Sequence, residues 1–206
     1  MWRHRLLVGC MLCGGCFFDI APVPEQVPVT GTLVASESTW RFSAGIEEDG
    51  WETPGFDDGA WAEGAAPLGF GECFLATEIP NNCPAGTCDT PESYNCAGQF
   101  VAYYFRHAFE VPAGGTAQSL ELSLLVDDGA LVFLNGVEVA RLRLPAGPIG
   151  PQTEATEPVS GSAETEWEMV EIGGDALSSG MNLLAVEVHQ EGPGTDVVFD
   201  VALVAR

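Results

Sequence analysis

Residues 118–141 read QSLELSLLVDDGALVFLNGVEVAR, and this stretch indicates the fold class. Leucine or valine occupies positions 120, 122, 124 and 126, while Glu121 and Ser123 lie between them. This period of two is typical of a β-strand that buries one face. Asn135-Gly136 then separates two apolar runs. It predicts a two-residue hairpin, because both central positions of such a turn need a positive φ.

The same alternation recurs along the chain at 182–190 and 197–204, and residues 101–111 form a further, aromatic-rich strand pattern. No long helical pattern occurs, although residues 175–179 fit one short helical turn. The 206 residues are 46% hydrophobic and include 25 Gly and 14 Pro, a composition that suits a folded, turn-rich domain. Together these patterns predict an all-β, antiparallel sandwich of about eight or nine short strands.

The chain is strongly acidic. Its formal net charge is -23, and its seven basic residues are all arginine. Phosphate backbones and anionic membrane surfaces repel such a chain, so we expect no nucleic-acid partner. Cations and neutral ligands such as sugars are compatible with this charge, which also favours solubility.

The first sixteen residues, MWRHRLLVGCMLCGGC, predict an export signal. They combine a basic start with a short apolar stretch that ends in small residues and cysteine. This ending resembles a bacterial lipoprotein signal with the lipid on Cys16. Two alternatives are a signal ending at Cys10 and an ordinary secretory signal. Residues 17–37 are proline-rich and predict an extended tether. We therefore expect an envelope protein that contacts the membrane only through its lipid, with Phe17 favouring the outer membrane, or else a secreted one.

Four cysteines follow the leader within one short stretch, residues 73–96: Cys73, Cys83, Cys88 and Cys96. An even number in an exported protein predicts two disulfides. Three pairings are compatible with the sequence, and we favour the nested one, Cys73–Cys96 with Cys83–Cys88. A four-thiolate zinc site is the rival interpretation. It is disfavoured because no close Cys-x-x-Cys pair occurs.

A series of motifs resembles the galactose-binding-domain-like jelly roll found in modules of bacterial extracellular hydrolases and surface proteins. In chain order these motifs are Trp40-Arg41-Phe42, PGFDDGAW at 54–61, PLGFG at 67–71, Tyr104-Phe105-Arg106, Asp127-Asp128-Gly129, VFLNG at 132–136 and NLLAVEVHQ at 182–190. The resemblance covers residues 38–206, with 73–96 as an insertion in a loop. It implies a jelly-roll sandwich, a fold whose members include carbohydrate-binding, calcium-stabilised and purely structural domains.

Asp127-Asp128-Gly129 has two interpretations. Two carboxylates at a strand end could hold Ca²⁺, which prefers oxygen ligands, and so could contribute to a ligand site. Alternatively, Asp caps its own turn and Gly supplies a positive φ. We favour the turn.

Four further residues are candidate ligand contacts. Trp51 lies in an acidic loop and is the better candidate for an exposed aromatic that stacks on a sugar ring. Trp61 follows two aspartates and could also stack, although a structural plug is the favoured interpretation. Glu187 and His189 share one strand face, where they predict either ligand contacts or polar packing between strands. His107 lies at core parity, which predicts a bulge or a half-buried histidine.

Few residues support catalysis. The chain has no lysine for Schiff-base chemistry, and no His-Glu-x-x-His, Gly-x-Ser-x-Gly or phosphate-binding glycine motif. We expect a non-catalytic module that binds carbohydrate, with no cofactor other than structural calcium. The alternatives are a structural or protein-interaction domain of the envelope and, third, a carboxylate-based glycoside hydrolase.

Overall fold

A computed structural model describes residues 26–45, 48–83, 98–192 and 194–206. The predicted export signal with Cys16 lies outside these residues, as do Cys88 and Cys96. The two expected disulfides, Cys73–Cys96 and Cys83–Cys88, therefore remain a prediction.

The described residues form fourteen strands and two short 3-10 helices. The strands are β1 (Val27–Pro28), β2 (Gly31–Val34), β3 (Thr39–Ala44), β4 (Ala62–Ala65), β5 (Leu68–Phe70), β6 (Thr77–Glu78), β7 (Ala102–Val111), β8 (Gly115–Thr116), β9 (Ser119–Asp127), β10 (Gly129–Leu134), β11 (Val137–Leu142), β12 (Glu168–Gly173), β13 (Gly180–His189) and β14 (Val197–Ala205). The 3-10 helices are Gly161–Thr165 and Gly174–Ala176.

Two sheets pack face to face around one core. The first sheet has the order β11-β10-β13-β7-β3-β4, and the second has the order β12-β9-β14-β5-β6, with β2 also paired to β14. Phe105 of the first sheet stacks on Phe199 of the second with ring centroids 3.7 Å apart, and Trp40 meets Phe199 edge-on. These contacts bury the apolar faces that the period-two pattern defines, and they confirm the all-β sandwich.

The sandwich begins inside the segment that the sequence predicts to be a tether. Val34 is buried in the core, and β2 pairs with β14. β1 pairs with β8. The density of proline before residue 29 obscured these strands in the sequence. β1 contains Pro28 and forms only a short pairing with β8, an edge position where proline is tolerated.

Asn135-Gly136 forms the predicted hairpin between β10 and β11, with φ of 55° and 83°. The side chain of Asn135 strengthens this end of the first sheet, because its Oδ1 accepts a hydrogen bond from the Leu183 N–H. His107 is half-buried and bonds the Thr39 carbonyl through Nδ1, and the pairing of β7 runs without a bulge there.

Asp127-Asp128-Gly129 is not the capped turn that the sequence favours. It carries the chain from β9 in the second sheet to β10 in the first, through a cis Asp127-Asp128 peptide. Gly129 has no positive φ; instead, a Cβ there would approach Ala155, Leu144 and the Arg143 carbonyl within about 3 Å. Close packing at the crossover therefore explains the glycine.

Across the described ranges, no helix has the length and apolar character needed to cross a membrane.

Candidate functional site

A cavity of about 640 Å³ lies on the outer face of the first sheet, the face directed away from the core. Loop residues 48–52 and 147–151 form its walls, and the sheet forms its floor. The volume is within the range of about 300–1,000 Å³ that is usual for small-molecule sites. This cavity is the candidate site.

The strand register places four floor residues in one row across four strands. Arg141 of β11 is opposite Leu131 of β10, Leu131 is opposite Glu187 of β13, and Glu187 is opposite Tyr104 of β7. Their side chains share one face because alternate residues of a strand point to the same side. An apolar and aromatic floor thus carries a buried carboxylate at its centre.

Trp51 closes one side of the cavity, but it is not the exposed aromatic that the sequence predicts. Only 9% of its surface is exposed, and its ring meets Tyr104 and Phe133 edge-on with centroids 4.8 Å and 5.7 Å away. The acidic composition of its loop suggested exposure. The loop instead folds back on the sheet and buries the indole in a small apolar cluster there.

Arg106 holds this loop in place, a role that no sequence pattern indicates directly. Its guanidinium forms an ion pair with Asp58 at 2.7 Å and donates hydrogen bonds to the carbonyls of Trp51, Thr53 and Phe56. The one available signal was an arginine at an outward position of the aromatic strand 101–111. Sequence alone could not assign its partners, which lie about fifty residues away.

Trp61 belongs to the same anchoring arrangement. Its ring packs against Phe56 with centroids 5.7 Å apart, and the Arg106 guanidinium lies 5.9 Å from it. Trp61 is not among the residues that line the cavity. Asp57 accepts a hydrogen bond from the Gly59 N–H at 3.0 Å, a contact typical of an aspartate that begins a turn.

The cavity is acidic. Five carboxylates line it, those of Glu48, Asp49, Glu52, Glu138 and Glu187. Among the described residues that line the cavity, Arg141 is the only basic one. The Arg141 guanidinium binds both oxygens of Glu138 at 2.8 Å, which lowers the pKa of that glutamate. The negative charge of the other four carboxylates is therefore not offset by a basic lining residue. Such a site accepts hydrogen bonds from hydroxyl or ammonium groups and repels anions.

His189 lies behind Glu187 and does not line the cavity. It is fully buried; its Nδ1 is 2.6 Å from the Thr153 carbonyl, and its Nε2 is 3.6 Å from Glu187 Oε1. Its Nε2 has no hydrogen-bond partner among the described residues, so His189 packs beside Glu187 without a hydrogen bond to it and does not reach the cavity. Of the candidates from the sequence, the structure thus brings Trp51 and Glu187 together at the cavity.

Asp127 and Asp128 lie away from this cavity, at the crossover between the sheets. Both carboxylate oxygens of Asp128 accept hydrogen bonds at 2.7 Å, one from the Val159 N–H and one from the Glu191 N–H. Asp128 therefore joins two loops. Asp127 is also buried, and burial, then a hydrogen bond with Asp128, raises its pKa to about 10.

Comparisons with known proteins give a likeness in fold. No family model matches the chain, and no curated protein matches it by sequence. A glycosyl hydrolase family 2 member from Bacteroides cellulosilyticus superimposes with a TM-score of 0.53 and 19% identity, covering 84% of this chain and 20% of that one. A β-glucuronidase from Bacteroides uniformis gives a TM-score of 0.50, 16% identity and coverages of 84% and 18%. This chain therefore has the fold of a segment that makes up about a fifth of each of these two hydrolases.

Proposed function

We propose that this chain is a non-catalytic carbohydrate-binding module of the galactose-binding-like jelly-roll type, and that the acidic cavity is its saccharide site. The observation that carries the proposal is the row Arg141–Leu131–Glu187–Tyr104 with Trp51 beside it. A saccharide presents hydroxyl donors around an apolar ring face. A buried carboxylate on an apolar and aromatic floor complements both features.

The charge of the cavity suggests the class of sugar. Five carboxylates and one arginine favour neutral or amine-bearing saccharides over uronic acids, whose carboxylate would meet a negative field. The glucuronidase likeness therefore does not carry over as a substrate preference.

One feature supports a module over a complete enzyme, and two further features support its location in the cell envelope. The likeness covers only about a fifth of each hydrolase chain. The leader of lipoprotein type, with Cys16 as the lipid-bearing residue, supports export to the envelope and anchoring in the outer membrane. The four cysteines at 73–96 support an oxidised, extracytoplasmic loop with two disulfides.

A saccharide array followed by calorimetry on the purified protein tests the proposal. We expect retention of neutral or amino sugars and at least about tenfold weaker binding by Glu187→Gln, because a charge-assisted hydrogen bond is lost. Glu110→Gln makes the same charge change at an exposed position outside the cavity and serves as the control. Trp51→Ala is a poor probe because it also removes packing from the loop.

Absence of binding to every saccharide would overturn the proposal in favour of a structural or protein-interaction domain. Hydrolysis of chromogenic glycosides that disappears in Glu187→Gln would favour the hydrolase alternative.

A further inference from the structure

The carboxylate of Glu187 is a buried negative charge on the floor of the saccharide cavity. Glu187 is 5% exposed and lines the cavity from the middle of the first sheet. Its ionic contact is with Nε2 of His189 at 3.6 Å, a distance longer than a hydrogen bond. Among the described residues, no group donates a hydrogen bond to this carboxylate. It therefore calls for a partner, because a buried charge is costly unless it is paired.

The two basic residues described near Glu187 do not supply that partner. His189 Nδ1 lies 2.6 Å from the Thr153 carbonyl and so carries a proton. In the neutral imidazole, Nε2 is then an acceptor and cannot donate to Glu187. Arg141 binds Glu138 through two of its nitrogens and donates from the third to a loop carbonyl at 2.7 Å. The charge of Arg141 therefore attracts Glu187 only from a distance.

The surroundings of Glu187 favour a cationic ligand group over a neutral one. Tyr104, Trp51 and Phe133 line the cavity with it, and Trp51 packs edge-on against the other two rings. Aromatic rings attract cations through their quadrupole, and by excluding water they strengthen the attraction of a nearby carboxylate. A hydroxyl group would donate a hydrogen bond to Glu187 but leave its charge uncompensated. An ammonium group supplies both the hydrogen bond and the opposite charge.

The wall of the cavity acts in the same direction. Loop residues 48–52 contribute three more carboxylates to the lining, and Arg141 is already paired with Glu138. Charge of one sign in a cleft raises the local concentration of oppositely charged ligands. An acidic wall alone would attract any cation, whereas the buried and unpaired Glu187 defines one position for the charge.

We propose that the cavity selects amino saccharides, and that the protonated amine of the sugar pairs with Glu187 on the aromatic floor. This inference rests on the proposed function and narrows its ligand class from neutral or amine-bearing saccharides to those with a free amine. Acetylation removes the positive charge of an amine, so N-acetylated sugars should bind no better than neutral ones.

Calorimetric titration of the purified protein with three matched tetrasaccharides tests the inference. Cellotetraose and its counterparts built from glucosamine and from N-acetylglucosamine share one backbone, and they differ in carrying a hydroxyl, a free amine or an acetamide. At a pH that keeps the sugar amine protonated, the glucosamine tetramer should bind at least about tenfold more tightly than either of the others. In Glu187→Gln this preference should fall below about threefold, because an amide carries no charge.

Two controls separate the site from the general charge of the chain and from unfolding. Glu110→Gln makes the same charge change at an exposed position outside the cavity and should keep the full preference. An equal loss of preference in this variant would overturn the inference. Glu187→Gln should melt no lower than the wild type, because it removes an unpaired buried charge. A markedly lower melting temperature would show that Glu187 has a partner within the protein and would also overturn it.

The binding results distinguish this inference from the proposed function. Equal affinity of the wild type for the three tetrasaccharides would overturn amine selectivity and leave the saccharide site in place. Tetralysine that binds as tightly as the glucosamine tetramer would overturn the saccharide class, because the cavity would then accept any amine. Failure to bind these ligands and every saccharide of the array would overturn both.

Discussion

The guanidinium of Arg106 carries a full positive charge beneath the loop that walls the cavity. Its side chain is 3% exposed, whereas that of Arg41, which meets the same Asp58 at 3.6 Å, is 38% exposed. A buried charge that loses its partner is costly, whereas an exposed ion pair contributes little. The two arginines therefore offer a matched comparison at one aspartate.

Replacing Arg106 with methionine should lower the free energy of unfolding by about 2–4 kcal/mol, because the loop carbonyls and Asp58 lose their donor. Arg41→Met should cost no more than about 1 kcal/mol. Urea unfolding of both variants measures the difference. Equal losses would contradict the assignment of Arg106 as the anchor of the loop.

Asp200 makes stability depend on pH in an unusual direction. Burial raises its pKa to about 6, although hydrogen bonds from the Glu37 and Val201 N–H groups oppose the shift. The folded state therefore binds more protons than the unfolded state between about pH 4 and pH 6. Stability from this group is present at low pH and falls as pH rises through that window.

Asp200→Asn removes this titration and retains an oxygen that can accept from Glu37. Relative to the wild type, the variant should gain stability on the order of 1 kcal/mol between pH 4 and pH 6, with no further change above. Denaturant unfolding across this range measures the gain. A constant difference between the two proteins would show that Asp200 does not titrate there.

At the scale of elements, residue alternation predicted the long strands but not the short or crossing ones. β9, β13 and β14 follow the expected spacing closely, since each buries one face in a common core. β2 was not predicted, because the segment that precedes it is rich in proline. The crossover at residues 127–129 was not predicted either. The end of a strand has the same sequence pattern whether the chain turns back within one sheet or passes to the other sheet.

The hairpin between β10 and β11 requires glycine at its second position. Gly136 has φ of 83°, and a Cβ there would lie 3.2 Å from the Thr53 methyl group. Gly136→Ala should cost about 1–2 kcal/mol in denaturant unfolding. Gly55→Ala, where φ is not positive and no atom lies within 4 Å of the added Cβ, should change stability by less than about 0.5 kcal/mol. Similar losses at both glycines would argue against a conformational requirement.

The four cysteines of the 73–96 insertion lie in one tryptic peptide, residues 42–106, because no basic residue occurs between Arg41 and Arg106. Two internal disulfides make this peptide lighter than its reduced form by about 4 Da, one hydrogen for each sulfur. We expect that difference in mass spectra of protein digested under non-reducing conditions. An unchanged mass on reduction would contradict the prediction of two disulfides.

At the scale of the whole molecule, the sequence located part of the cavity but not the meeting of Glu72, Glu164 and Asp196, whose carboxylate oxygens lie within 4.8 Å of one another. Trp51 and Glu187 could be identified because an aromatic in a polar loop and a glutamate in an apolar strand are local anomalies. Glu72, Glu164 and Asp196 are three of 30 acidic residues, and only the packing of distant loops brings them together. The sequence around each of these residues does not show which distant residues will lie beside it.

The net charge of -23 should also make stability respond to salt. Self-repulsion opposes the compact state, and dissolved ions screen it. Raising NaCl from about 10 mM to about 0.5 M should therefore raise the melting temperature in the presence of chelator. Calorimetry with sodium chloride, and with sucrose as an uncharged control, measures this. A melting temperature that falls with salt would show that ion pairs outweigh the repulsion.

β14 occupies the middle of the second sheet, although it comes last in sequence among the strands of the described residues. It joins β9 on one side to β5 and β2 on the other. During synthesis, the edges of β9, β5 and β2 that pair with β14 have no hydrogen-bond partner until residues 197–205 have emerged from the ribosome. Non-local pairing of this kind is slow, so assembly of the sheet falls late, after the rest of the domain has been synthesised. The nascent chain thus stays open, and vulnerable to proteases and aggregation, until β14 inserts.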